Sequence, residues 1–410
     1  MNAKTSPQGR KYFWNILSDE LAKSSFLLVI LAVFSGLILG GIVIILTTQE
    51  VYTAFGISFI DGIKITFNAV IKTYSSMLIG AFGDPAKIIS AFQSGDAKSI
   101  RDAINPFFES LVTSTPFIFS GLSLALGFQV GLFNIGAEGQ IYIGAIMGAW
   151  AGFAIKGLPP IIHVPLALGI GALGGALWGF IPGWLKAKTG SHEVINTIMM
   201  NYIAFNLVDY LLTGPLKDPK SYDPKTPIIQ QSAHLFRFFE EPIRFHLGFF
   251  IAIGLAFLVW YLLFKTKWGF EMRTVGLNPN AARYAGINIT RIIIISMSLS
   301  GALAGLAGAN EILGVSYRLL PSFSSGYGFD AIALALLGKS HPFGVVLAAL
   351  LFGFMRSGSR LMQLRAGIPV DIISIIQAFI LIFIAAPAII RTIYRIKKSP
   401  KMTESSIIGS

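Results

Sequence analysis

The sequence predicts an all-α integral membrane protein with about ten transmembrane helices, some of them discontinuous. Three observations predict it. Of 410 residues, 54% are hydrophobic and 13% charged, whereas a water-soluble domain carries about a quarter charged residues; the mean hydropathy is +0.68. The charges that remain fall between long apolar runs. Finally, 43 glycines and 19 prolines, many inside those runs, imply bent or broken helices of the kind that line cavities.

A helix crosses a hydrocarbon core of ~30 Å with about 20 apolar residues. Clear candidates are residues 26–46, 110–130, 139–155, 164–185, 194–213, 247–264, 292–310, 343–355 and 372–390. A tenth, 322–338, is short and interrupted by Asp330. It is counted as a crossing because Lys4, Arg10, Lys11 and Lys23 in tail 1–25, and Arg391, Arg395, Lys397, Lys398 and Lys401 in tail 391–410, mark both termini as cytoplasmic. Two termini on one side require an even number. A re-entrant 322–338 would lower the count by one. Residues 356–370 then form an outer loop, although Arg356, Arg360 and Arg365 argue for the opposite side. The first span follows a charged segment and has no small-residue cleavage pattern, so it reads as a signal anchor.

Between the spans lie three notable segments. In the outer insertion 47–109, Ile60, Ile63, Phe67, Val70, Ile71, Tyr74 and Leu78 recur at helical spacing opposite Asp61, Lys64, Asn68 and Lys72. This amphipathic helix either lies on the outer membrane surface or packs as a lid on the core at 110–390. Residues 215–246, rich in proline and charge, form an outer loop. The inner loop 265–291 is basic and contains "AARYAG", a short helix that Gly286 can end. Its length suits a docking element better than a plain connector.

Several chemistries are excluded. With no cysteine there is no disulfide, thiolate metal site or cysteine nucleophile. Much of the net charge of +12 lies in membrane-flanking tails and loops, where anionic lipid headgroups attract it; no basic run interleaved with aromatics points to nucleic acid. "LALLGKSHP" lacks the first glycine of a phosphate loop, and "HEVIN" has Asn196 where a zinc motif needs a second histidine. "GYGFD" places Asp330 one residue too far for an intramembrane aspartyl protease. The chain is not read as an enzyme.

What the sequence does contain is packing machinery and one misplaced charge. Gly171, Gly175, Gly179 and Gly183 recur every four residues, and Gly301 and Gly305 repeat the spacing, so that helix backbones can approach closely. "GLFNIGAEGQ", residues 131–140, puts Glu138 among apolar spans, where a carboxylate costs about 2.5–3.5 kcal/mol at the bilayer centre. The stretch must break the helix near an aqueous edge or cavity. Asn134 then caps the next helix and Glu138 falls in its first turn, favoured by the helix dipole. The break, with Asn134, Glu138 and Gln140, is a candidate part of a translocation path. Tyr202, Asn206 and Asp209 share one helix face, forming either a pore wall or an interhelical hydrogen-bond seam. Asn196, Asn201 and Asn206 cannot share one.

"GLFNIGAEGQ", "SHEVINTIMMNYIA" from Ser191, "VGLNPNAARYAGI" from Val275 and "FDAIALALLGKSHPFGVVLAALLFG" from Phe329 together resemble the permease subunits of bacterial ATP-binding-cassette importers. The likeness is to the nucleoside and simple-sugar branch, related to ribose-type and branched-chain amino acid permeases, and covers about residues 111–390. It implies the permease fold and a coupling helix in "AARYAG". Asn280, Ala281, Ala282, Arg283 and Gly286 would dock on a separate ATPase, with Asn280 where many importers carry glutamate. It further implies ATP and Mg in that partner, no cofactor in this chain, an external binding protein or lipoprotein, and a second, different permease. An ion-coupled carrier would instead need a titratable group deep in a span, whereas Glu138, Asp209 and Asp330 lie near predicted ends or breaks. A scaffold or receptor is disfavoured by the lack of a sizeable soluble domain.

Overall fold

A computed structural model describes residues 25–395. Lys4, Arg10, Lys11, Lys23, Lys397, Lys398 and Lys401, which carry much of the expected orientation, lie outside them. The described chain is helical, with a single isolated bridge pairing Arg237 and His246. It divides into two compact units.

The first unit holds residues up to Val70 and from Asp371 onward. It contains α1 (Ser25–Thr47), α2 (Gln49–Ile57), the start of α3 (Phe59–Phe82), α15 (Asp371–Ala385) and α16 (Pro387–Ile393). Helix α1 packs on α15, burying Ala32 and Phe383, while Ile30, Phe34, Ile38, Ile42 and Leu46 stay exposed along one stripe. Four-residue spacing makes that stripe one helix face, the face expected against lipid. The expected span 372–390 is broken: α15 and α16 meet at 90°. Pro387 is the cause, because its ring drives Ala386 out of helical backbone, to φ −119° and ψ 70°.

The second unit, Ile71–Val370, contains the rest of α3, α4 (Pro85–Ser94), α5 (Ala97–Gln129), α6 (Ala137–Ala154), α7 (Pro160–Thr189), α8 (Glu193–Thr213) and α9 (Gly248–Lys265). It continues with α10 (Lys267–Leu277), α11 (Pro279–Tyr284), α12 (Ile289–Glu311) running into a π turn (Ile312–Ser316), α13 (Tyr327–Leu337) and α14 (Pro342–Ala366). At its centre α12 packs on α7, α6 and α5. The glycine ladder makes the α7–α12 approach possible. A Cβ on Gly175 would strike the Gly301 carbonyl oxygen, and one on Gly301 would strike that of Gly175. Both residues must be glycine for the helices to sit this close.

By length and apolar composition six helices can cross a membrane: α1, α5, α7, α9, α12 with its π turn, and α14; the bent pair α15–α16 is a seventh. The other expected spans correspond to α6, α8 and α13. Glu138 and Gln140 lower the apolar content of α6, and Asn201, Asn206 and Asp209 that of α8, while α13 is short.

Three boundaries differ from the sequence reading. Helix α5 runs through the boundary expected at residues 109–110, beginning at Ala97 with Asp96 as its cap: the Asp96 carboxylate accepts the Ser99 N–H at 2.8 Å. The inner loop 265–291 holds two helices, α10 and α11, rather than one. The outer loop expected at 356–370 is helical as far as Ala366. Arg356 and Arg360 do not end the helix because they meet acids, Arg356 pairing with Asp330 at 2.9 Å and Arg360 lying 3.8 Å from Glu109, while Arg365 falls in the last turn, where a cation suits the helix dipole.

Candidate functional site

The break at 131–136 is closed by buried hydrogen bonds from four helices. Asn134 is fully buried; its Nδ2 donates to Gln140 Oε1 and to Ser300 Oγ of α12, each at 2.9 Å, and its Oδ1 accepts the Gly136 N–H at 3.1 Å. Ser300 Oγ in turn donates to the Ser123 carbonyl of α5 at 2.8 Å. Asn134 is therefore not the residue that caps α6. That role comes from α8: Asn201 Oδ1 accepts the Gly139 N–H at 2.8 Å, while its Nδ2 donates to the Ile135 carbonyl at 2.9 Å. One amide thus closes both sides of the break.

Glu138 does sit in the first turn of α6, but its carboxylate meets protein instead of an aqueous edge. It is 3% exposed, and its Oε2 accepts the Gly328 N–H, in the first turn of α13, at 2.6 Å. Two helix N-termini, each positive, share one carboxylate. Gly328 must lack a side chain here, since a Cβ would stand 2.6 Å from Glu138 Cα.

The α8 stripe behaves differently. Tyr202, Asn206 and Asp209 are exposed, and Asn206 Nδ2 donates to the Tyr202 carbonyl of its own helix at 2.7 Å. Among the described residues the stripe makes no hydrogen bond to another helix, so the seam reading finds no partner. Asn201, 1% exposed on the opposite side, separates from Asn206 as helical geometry requires.

Helix α11 projects from its loop. Asn278 caps it, its Oδ1 accepting the Asn280 and Ala281 N–H groups at 3.0 and 3.1 Å. Gly286 closes it with φ +77°, the Ile287 N–H reaching the Ala282 carbonyl and the Gly286 N–H that of Arg283, each at 3.0 Å, a Schellman end. Ala282 alone of the docking candidates is buried; Asn280, Ala281, Arg283 and Gly286 are exposed, and Tyr284 is 95% exposed. The loop is tied to the break, because a Cβ on Gly131 would lie 3.3 Å from Gly276 Cα of α10.

A charged cavity of about 240 Å³ lies elsewhere in this unit, lined by Glu109, Arg244, Glu311, Tyr327, Arg356 and Arg360 among others. Arg244 makes a two-pronged ion pair with Glu109. Arg356 bonds Asp330 and the Ser325 carbonyl and stands 5.6 Å from the ring centres of both Phe117 and Tyr327. Sequence reasoning missed this site. The available signal was three arginines at 356, 360 and 365 in a stretch that otherwise continues a helical pattern.

A bundle of broken, glycine-packed apolar helices, with a charged cavity and a capped helix projecting from a loop, is the body of a membrane transport component. The chain belongs to the family described as branched-chain amino acid transport system / permease component, whose profile matches residues 107–385. It is 45% identical over 288 residues to the guanosine ABC transporter permease protein NupP of Bacillus subtilis, covering 69% of this chain and 82% of the relative. It is 36% identical over 323 residues to the nucleoside ABC transporter permease protein NupB of Lactococcus lactis, covering 76% and 86%. The glucose ABC transporter permease protein TsgB13 of Haloferax volcanii is 34% identical over 290 residues, covering 67% and 75%. No solved structure matches.

Proposed function

We propose that this chain is the permease subunit of an ATP-driven nucleoside importer, forming half of the translocation pathway beside a second, different permease chain. The observation that carries the substrate is the 45% identity to a permease named for guanosine, joined by 36% to one named for nucleosides. The relative named for glucose, at 34%, makes simple sugars the second reading.

In this reading both termini and α11 are cytoplasmic, and an external binding protein delivers substrate to the opposite side. A partner ATPase, holding ATP and Mg, receives α11. A helix capped at both ends transmits force without fraying, and the contact of Gly131 with Gly276 couples α10 to the break that Asn134, Glu138 and Gln140 brace. The break those three buried residues brace borders the path, while the exposed Tyr202, Asn206 and Asp209 face lines it or meets the second permease. The chain itself performs no chemistry.

The test is reconstitution in liposomes with the ATPase, second permease and binding protein that co-purify with it. Guanosine-stimulated ATP hydrolysis and accumulation of labelled guanosine are expected. Stimulation by glucose without any by nucleosides would transfer the function to the sugar reading.

A further inference from the structure

The charged cavity is not saturated by its own residues. Glu109 is engaged by Arg244, and Arg356 is held by Asp330, the Ser325 carbonyl and two aromatic faces. Glu311 is different: it lines the cavity, yet among the described residues no hydrogen bond or ion pair within 4.0 Å engages its carboxylate. Arg360, largely exposed, has only its 3.8 Å contact with Glu109 and so keeps most of its donors free. A carboxylate left half-buried without a direct partner costs stability, unless something else supplies donors to it.

The chemistry of what fits follows from these unfilled positions. The space is larger than a single ordered water needs. Glu311 offers two acceptor oxygens, and Arg360 offers a fork of donors. A solute complementary to both presents paired donors beside an acceptor. A guanine ring has that pattern on one edge, N1–H and the 2-amino group beside O6, and guanidinium groups bind the O6/N7 edge of guanine in other settings. The location agrees with entry of substrate from outside: α12 starts just beyond the α11 loop and ends at Glu311, a rise of about 34 Å over its 23 residues. The cavity therefore sits at the end of α12 remote from the proposed ATPase contact.

We infer that Glu311 and Arg360 form a base-reading subsite on the translocation path, the carboxylate accepting N1–H and the 2-amino group of a guanine nucleoside and the guanidinium donating to O6. The inference rests on the nucleoside-importer reading above.

The test uses the reconstituted complex with its binding protein saturated by guanosine or by inosine, so that differences in uptake arise after delivery. Inosine keeps N1–H and O6 but lacks the 2-amino group. Glu311→Gln is expected to lower guanosine uptake about tenfold or more, the scale of a hydrogen bond to a charged group, and inosine uptake clearly less. Glu311→Asp, which keeps the charge, is expected to recover part of the guanosine rate, and size-exclusion of the complex shows whether each variant is assembled. Arg360→Gln is expected to lower both nucleosides, since both carry O6. Wild-type guanosine uptake in an assembled Glu311→Gln complex would overturn the subsite while leaving the nucleoside reading intact, as would an equal fall for both nucleosides. Sugar uptake with no nucleoside uptake by the wild type would overturn both.

Discussion

The carboxylate of Glu138 accepts the backbone N–H of Gly328 at 2.6 Å, so a residue in the first turn of α6 also closes the first turn of α13. A charge that looks costly in an apolar sequence is held by two helix ends, and removing it would leave the Gly328 N–H of α13 unmatched in a dry site.

Glu138→Ala is accordingly expected to destabilise the fold by about 1–3 kcal/mol, the cost of a buried donor left without a partner. Glu138→Gln keeps an acceptor oxygen and is expected to lie between the two. Thermal melting of the purified complex in one detergent reads the order, wild type above Gln above Ala. An alanine variant melting with the wild type would remove Glu138 from the structural role.

The glycine ladder makes a prediction with its own control on one helix. A side chain on Gly175 collides with the Gly301 carbonyl, whereas a Cβ on Gly169, also on α7, meets nothing within 4 Å. Gly175→Leu is expected to prevent assembly, well beyond the ~1–3 kcal/mol of ordinary overpacking, because backbone and not a flexible side chain blocks the space. Gly169→Leu is expected to leave yield and monodispersity of the extracted protein unchanged. Fluorescence-detected size exclusion compares the two directly.

Much of this was legible in the sequence. Helices fall where apolar runs lie between charges: the termini of α6, α8, α9 and α12 fall within three residues of the runs at 139–155, 194–213, 247–264 and 292–310, while α7 extends the run at 164–185 by four residues at each end. The helix that ends at Gly286 and the glycine contact face were readable too, because both are local patterns. What was not legible is pairing between distant segments. Nothing in the spacing shows that Asn201 caps α6 from α8, or that Arg244 meets Glu109 across 135 residues of chain. Arg356 and Arg360 of α14 suggest a loop for the same reason: an unpaired charge signals one, and their partners become visible only once Asp330 and Glu109 are brought alongside.

A pH dependence follows from His246, which lies just before α9. Burial, with Arg237 and Arg244 nearby, lowers its pKa from 6.5 to about 4. Its Nδ1 accepts the Gly248 N–H at 3.1 Å, a bond only the neutral ring can make. Between those two pKa values the unfolded chain binds the proton and the folded chain does not, so stability falls as pH drops from 6.5 toward 4. The melting temperature of the wild type is expected to decline over that window. His246→Gln, which cannot take up the proton, is expected to flatten this part of the decline even if it starts from a lower value; an unchanged slope would assign the pH response to other groups.

Gly286 tests the coupling role of α11. Its φ of +77° is a conformation that costs a side-chain-bearing residue about 1–2 kcal/mol, and a Cβ there meets nothing within 4 Å, so substitution changes the end of α11 without disturbing the core. Gly286→Val is therefore expected to insert and extract normally while α11 loses its Schellman end. If α11 carries force from the ATPase, guanosine uptake falls strongly and ATP hydrolysis no longer responds to substrate. Tyr284→Ala, which removes a 95% exposed side chain of α11 but keeps its backbone, is expected to weaken ATPase binding without that loss of response. Wild-type uptake in an assembled Gly286→Val complex would show that transport does not depend on how this helix ends, and would move the coupling contact elsewhere in the 265–291 loop.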